Sequence, residues 1–340
     1  MRELKHARGL VRRCSGSPKE RVRRAGFPGS LRYMNASKGG KAAPFVPHHI
    51  DAAPEHLAGN GAIGRYVLLP GSDGRARQIA EHFEDPRSRP HPRGHNLYFG
   101  RISLGDETWA DVAAVSTGMG CPSVDIIVNE LFRLGAKRFL RVGTAGSLQP
   151  QRIRAGSRVV ATASVRDEHT SRAYVPVEFP AVASLEWVGA ARRAATALGM
   201  EGDTWFGIVH CKDSLFAREF HQGPMIQEND RYMSLLRRAG VAASEMETSL
   251  LFILASVFEQ QLRQAGEGPA YRVLAGAVLG IVGDDRPFAP PELEVQAVED
   301  SVALALETVR QLAVEERRPR EPGLSPTSRS RASSTGLRPR

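Results

Sequence analysis

The chain has 340 residues, 24% charged and 41% hydrophobic, the balance of a globular protein long enough to bury a sizeable core. No uninterrupted apolar run approaches the roughly 18 residues of a membrane-spanning helix, and three scattered cysteines, Cys14, Cys121 and Cys211, exclude a disulfide framework or a zinc site and fit a reducing cytoplasm. The net charge of +9 resides in the ends: residues 1–43 carry a net +10 and residues 317–340 a net +6, which leaves −7 between them.

Residues 1–43 are rich in Arg, Ser and Gly, poor in apolar residues, and read as a disordered basic tail. The first 33 also have the Arg-rich, acid-poor look of a transit peptide, and Met34 offers an alternative start. A domain is expected over residues 44–316. Within it His48-His49-Ile50 leads through a polar loop to a strand at 66–69, residues 75–83 have helical spacing, and 84–95 is expected to be a Pro/Arg/His loop. Strands near 97–104 and 111–115 flank a Gly105-Asp106 turn. Gly118 and Gly120 permit a tight turn, and Pro122 suits the first turn of a helix that faces inward through Ile127, Leu131 and Leu134 until Gly135 breaks it. A strand at 139–142 follows, ending among Arg141, Gly143, Thr144 and Gly146. Next come a strand at 159–165, a helix at 184–198 stopped by Gly199, and a strand at 205–210 leading into Cys211-Lys212-Asp213-Ser214. Helices at 231–239 and 249–262 flank Glu245-Met246-Glu247, and an apolar strand at 273–282 precedes a long helix at 292–313. Residues 317–340 form a second basic tail. On charge patterning both tails read as solvated rather than as nucleic-acid or membrane contacts. No internal repeat is present.

The alternation of strand and helix predicts one α/β/α domain, and in such sheets ligands bind beyond the carboxyl ends of the strands. The sequence puts a fixed cation, Arg141, there with the Thr144 hydroxyl and backbone that can approach an oxyanion closely. A buried guanidinium among glycines calls for an anionic partner.

Five segments together resemble the nucleoside phosphorylases, and within them the uridine phosphorylases. They are Val67-Leu-Leu-Pro-Gly-Ser-Asp-Gly-Arg75, Ser116-Thr-Gly-Met-Gly120, Arg141-Val-Gly-Thr-Ala-Gly146, Ser244-Glu-Met-Glu-Thr-Ser249 and, for the uridine branch, Tyr174-Val-Pro-Val-Glu-Phe-Pro-Ala-Val182. In order and spacing they cover roughly residues 48–312. The resemblance implies a three-layer fold with a central mixed twisted sheet. It also implies phosphorolysis of a nucleoside, uridine favoured, to free base and ribose 1-phosphate, with inorganic phosphate as co-substrate and no metal or cofactor.

Guanidiniums suit phosphate, since each is a permanent cation with a fork of donors. By resemblance Gly71, Arg75, Arg141 and Thr144 match phosphate-binding positions, and Arg93 matches an arginine that crosses from a neighbouring subunit. The loop around Arg93 departs from the family's Asn-Arg-Glu pattern, and Gly71-Ser-Asp-Gly74 from its Gly-Asp-Pro. For the sugar, Glu247 matches the carboxylate that binds the ribose hydroxyls, with Met246 under the ring and Glu245 nearby. A carboxylate there also favours an oxocarbenium-like transition state. His49, or less well His48, matches a histidine that reaches a partner's 5′-hydroxyl. For the base, Leu215 and Phe216 fall where the family packs apolar side chains. Glu219 and His221 stand where typical uridine phosphorylases carry a Gln-x-Arg pair, while Cys211-Lys-Asp-Ser214 resembles a second branch of those enzymes. Asp284 falls where purine-specific relatives put the acid that protonates N7, which is sensible general-acid chemistry.

Purine specificity therefore stays open beside uridine, as do a hydrolytic nucleosidase, against which Arg75 and Arg141 argue, and a non-catalytic nucleoside-binding protein. The resemblance further implies a homo-oligomer built from dimers, three of which form a hexamer. A charge reversal at Arg141 is expected to abolish phosphorolysis without unfolding the domain.

Overall fold

Near-continuous apolar runs, the signature of strands covered on both faces, build the centre of the computed structural model, which describes residues 45–266, 272–285 and 288–318. The basic tails, with the transit-peptide and Met34 expectations, lie outside the described residues apart from Arg317 and Arg318. Strand β1 (Tyr66–Leu69) is buried at all four positions. It lies parallel to both β4 (Thr108–Val115) and β5 (Arg138–Ser147), with Leu69 opposite Arg141. Strand β10 (Leu274–Gly283) runs parallel to β5 on the other side and pairs antiparallel with β6 (Arg158–Asp167). Strand β8 (Thr204–Lys212) lies parallel to β6, and the short β9 (Ala243–Glu245) bridges β8 to β5. The mixed sheet thus closes into a ring through β5, β10, β6, β8 and β9, and an open wing extends through β1 and β4.

The wing ends in β3 (Leu97–Gly105) and β2 (Glu84–Arg89). Strand β2 corrects the expected loop at 84–95. Its sequence, EDPRSR, is exposed throughout and among the described residues pairs only with β3, so its charges and Pro86 mark a sheet edge rather than a loop. At the β3–β4 hairpin Asp106 and Glu107 both adopt positive φ, 48° and 56°, which matches the strand twist in a tight turn. The two-residue β7 (Ala181–Val182) pairs with β6.

Helices cover both faces of the sheet. On one, α3 (Cys121–Arg133) and α7 (Thr248–Gln264) share a core in which Phe132 stacks on Phe258 at 3.9 Å. On the other, α2 (Asp73–Ala80), α4 (Leu185–Ala197) and α8 (Pro291–Arg317) pack through Ile79, Trp187 and Val309. Each end follows from local chemistry. Pro122 opens α3 after Gly120 at φ 81°, and Gly135 at φ 104° follows its last turn. Short helices α1 (Pro54–Leu57) and α5 (Leu215–Glu219) and the longer α6 (Ile226–Arg238) complete the α-helices among the described residues. Sequence periodicity predicts α6 only from residue 231, because its first turn, Ile226-Gln-Glu-Asn, lacks an apolar face pattern.

Candidate active site

The carboxyl ends of β1, β4, β5 and β8 converge with β9 on one cavity of about 210 Å³. The loops after β1 and β4 are tied together by Thr117 N donating to Pro70 O at 2.9 Å. Ser72 caps α2 by accepting from Arg75 N, which sets Arg75 in the first helical turn. In β5 the Arg141 side chain folds over its own strand. A Cβ on Gly143 would lie 2.9 Å from Arg141 Nη2 and 2.9 Å from Leu279 Cδ2, so glycine is needed to leave that space.

Arg141 is buried and binds two carboxylates. Its Nε donates to Glu245 Oε2 at 3.1 Å and its Nη2 to Glu247 Oε2, while its buried Nη1 has no hydrogen-bond partner among the described residues. Glu245 is further fixed by the backbone N–H groups of Glu247 (2.8 Å) and Thr248 (2.9 Å), and Glu247 Oε1 accepts from Gly120 N at 2.6 Å. Burial alone would raise Glu245, but Arg141 and the Thr248 and Glu247 donors outweigh it and hold this carboxyl below its ordinary value. Glu247 is pushed up, by burial and by the charge of Glu245, against the pull of Arg141. Arg75 is lowered by burial and by the Arg141 charge beside it, and no acceptor among the described residues takes a hydrogen bond from its guanidinium. Two adjacent cations, one with a free buried N–H, make an environment that an anion would stabilise. The two carboxylates on Arg141 overturn the expectation for its charge reversal: a third buried carboxylate beside Glu245 and Glu247 would destabilise the fold as well as the site.

Gly71, Arg75, Arg141, Thr144, Glu245, Met246, Glu247 and Leu215 all line this cavity, so sequence-predicted residues from four separate segments do meet. Others lie elsewhere. His49 Nδ1 is 2.8 Å from Glu130 Oε1, and the backbone N–H groups of His48 and His49 donate to the same carboxylate. Burial would raise Glu130, but these bonds outweigh it and lower it. Glu130 is nine residues beyond Cys121 on α3, so His49 stands about 14 Å along the helix from the end that borders the cavity. Arg93 sits in an exposed turn, outside the lining. Phe216 is 55% exposed and does not line the cavity, contrary to expectation; its ring meets that of Phe220, which does. Asp284 borders a second, larger cavity of about 780 Å³ that shares Gly146, Glu219, Phe220 and Phe288 with the first. Its oxygens accept from Ala155 N at 3.2 Å and Asp285 N at 2.7 Å.

Residues 65–315 match the family model described as the Phosphorylase superfamily. The chain belongs to that superfamily. Among its phosphorylase relatives, uridine phosphorylase of Treponema pallidum (strain Nichols) is 37% identical over 257 residues, 75% of this chain and 92% of the relative. Uridine phosphorylase of Thermococcus kodakarensis is 35% identical over 63% of this chain and 73% of its own. Guanosine phosphorylase of Halorubrum lacusprofundi is 33% identical over 59% and 76%.

Several residues around this cavity carry little local signal in the sequence. Lys212 is buried at the end of β8, where its Nζ donates to Ser244 Oγ at 2.9 Å and lies 2.7 Å from Glu219 Oε1. Its one clue is a lysine directly after the apolar run of a central strand. Phe220 and Phe288 come from distant loops and meet at 5.7 Å between ring centres. The segment 175–179 folds around Arg166, whose Nη1 donates to the carbonyls of Pro176 and Phe179 at 2.5 and 2.6 Å. Tyr174 beside it binds Asp125 of α3 and is pushed up to about 12 by burial and that carboxylate. Among the described residues no helix is long and apolar enough to cross a membrane.

Proposed function

We propose that this phosphorylase cleaves a ribonucleoside, uridine in preference, with inorganic phosphate, to give the free base and ribose 1-phosphate. The observation that carries this is the pair of neighbouring guanidiniums, the buried Arg141 with an unpartnered Nη1 and the half-buried Arg75 with no acceptor among the described residues. Phosphate seated on them, with the Thr144 hydroxyl and the Gly71 backbone, would face the sugar from the side opposite the base. Glu247, held by Gly120 N and Arg141, keeps lone pairs for the ribose hydroxyls and favours positive charge on the sugar as the bond from C1′ to the base nitrogen breaks. The bonding electrons leave with the base, and a phosphate oxygen forms the new bond to C1′. Met246 lies under the ribose in this reading, Glu245 keeps Arg141 oriented, and Leu215 contacts the base. The names of the relatives support uridine.

A purine, with Asp284 as acid, is the second reading, favoured by the 780 Å³ cavity adjoining the base end and by the guanosine phosphorylase relative. His49 and Arg93 stand outside their own chain's cavity, which supports a site completed by a second subunit and, through dimers, a hexamer. No metal or organic cofactor enters the reaction. Residues 44–316 form the catalytic domain in this proposal, and the cytoplasm its compartment.

The test is base release from uridine, thymidine, inosine and adenosine, each with and without phosphate. Phosphate-dependent release of uracil from uridine is expected. Release that ignores phosphate would replace the reading with hydrolysis, and binding without turnover would replace it with a nucleoside-binding protein.

A further inference from the structure

The turn that carries Arg93 is built to hold still. His91-Pro92-Arg93-Gly94 closes with Gly94 N donating to His91 O at 2.9 Å, and proline in the second place with glycine, at φ 76°, in the fourth suits such a turn. Arg93 N donates to His91 Nδ1 at 3.3 Å, so Arg93 stands at the exposed corner, and no acceptor among the described residues takes a hydrogen bond from its guanidinium. The stem of the turn is fastened to the two loops that border the smaller cavity. Asn96 accepts from His91 N at 2.7 Å through Oδ1 and donates through Nδ2 to Asp73 Oδ2 at 3.1 Å. A backbone N–H only donates and a carboxylate only accepts, so both ends of that amide are fixed. Asp73 lies in the first turn of α2, two residues before Arg75, where a negative charge is favoured, and it also accepts from Tyr98 OH of β3 at 3.2 Å. His95 Nδ1 lies 2.9 Å from Ser116 O, at the head of the loop after β4.

We infer that Asp73 and Asn96 are positioning residues for phosphate: they form a strut that sets the Arg93 turn against the start of α2 and so aims this arginine at the neighbouring subunit's phosphate. The inference rests on the proposed site completed by a second subunit and deepens it, since it names what holds the crossing arginine in place. A long side chain loses rotamer freedom when it grips an anion, and a turn already fixed leaves less to lose. The strut itself does not line the cavity, so its effect passes through Arg93. Asp73 stands where Gly71-Ser-Asp-Gly74 departs from Gly-Asp-Pro, which makes the support a feature of this chain's own sequence.

The experiment is a double-mutant cycle on the full chain with inorganic phosphate as the probe, read as KM for phosphate at saturating uridine and as a calorimetric Kd for phosphate alone. Arg93→Ala should weaken phosphate about 10- to 100-fold, the range of a hydrogen bond to a charged group. Asn96→Ala should weaken it about three- to tenfold, the freedom of one side chain, and leave KM for the nucleoside within about twofold. Placed on top of Arg93→Ala, Asn96→Ala should weaken it no further. Asp73→Ala should match Asn96→Ala, whereas Asp73→Asn, which keeps an acceptor for the Asn96 amide, should stay within about twofold of the wild type. Amides of residues 91–96 should exchange with deuterium faster in Asn96→Ala and Asp73→Ala but not in Asp73→Asn. Additive effects of Asn96→Ala and Arg93→Ala, or unchanged exchange in Asp73→Ala, would overturn the strut and leave the crossing arginine standing. Unchanged phosphate affinity in Arg93→Ala, or no phosphate binding by the wild type, would overturn both. Phosphate binding without base release would sink the reaction alone, because the calorimetric cycle still decides the strut.

Discussion

The two ends of the cavity are held by different means. Where Arg75, Arg141, Glu245 and Glu247 meet, every group comes from within or beside a strand or from the start of a helix, and the two carboxylates and Arg141 are buried and hydrogen-bonded to one another or to backbone. Where Leu215, Glu219, Phe220 and Phe288 meet, the supports are a five-residue helix and loops, and the neighbouring Phe216 and Phe288 are more than half exposed. In the proposed reaction the first end takes what every substrate has in common, the sugar and the co-substrate phosphate, and its geometry is tied to the fold. In the same proposal the second takes the base, the part that varies, and its side chains stand on α5 and loops rather than inside the sheet.

The largest break in this contrast should come from Arg141→Met. It leaves Glu245 and Glu247 without their shared cation, so phosphorolysis should vanish and stability fall by about 3–5 kcal/mol, read together by product assay and urea unfolding. Arg75→Ala should separate the two consequences. Its guanidinium has no acceptor among the described residues, so kcat/KM for phosphate should drop about 100- to 1000-fold with an unmoved unfolding midpoint. A midpoint lowered as far as in Arg141→Met would show that the phosphate end cannot be divided. At the other end, Phe220→Ala should raise KM for the nucleoside about tenfold through lost stacking and leave KM for phosphate within about twofold. Equal rises in both would mean that the ends are not independent.

The smallest effect concerns how α5 is anchored. Arg218 donates to both oxygens of Asp167 at 2.8 Å, and His210 Nε2 is 2.9 Å from the same carboxylate. Burial acts to raise Asp167, but these two partners outweigh it and hold it below its usual range. Because the folded value is the lower one, the stabilisation is complete above the unfolded value of about 3.9 and is lost as pH falls through the depressed folded value. Asp167→Asn should flatten the fall in stability below about pH 4, at a cost of about 1–3 kcal/mol near neutrality. Acid-unfolding profiles of the two proteins that run parallel would contradict this.

The same division explains what was legible in the sequence. Central strands such as β1 and β10 announce themselves as apolar runs, and α3 carries its own start and stop in Pro122 and Gly135. The cluster of Gly71, Arg75, Arg141, Thr144 and Glu247 could be collected before any coordinates because each residue lies in a short motif that resembles one of the phosphorylases'. Strand β2 was hidden because an edge strand needs no apolar face. Lys212, Phe220 and Phe288 were hidden because their relation is purely spatial: a buried lysine and two loop aromatics have no spacing that reveals a shared cavity. The closure of the sheet through β9 was equally silent, since three residues of strand leave no period to detect.

That closure also bears on how the chain breathes. Strands β5, β10, β6, β8 and β9 each have a neighbour on both sides, so the ring has no edge from which to peel. Amide hydrogens near Arg141 should exchange with deuterium only when the whole ring opens, whereas those of β2 and α5 exchange through local fraying. The protein can then loosen the α5 end of the cavity many times over without once releasing the end built on Arg141.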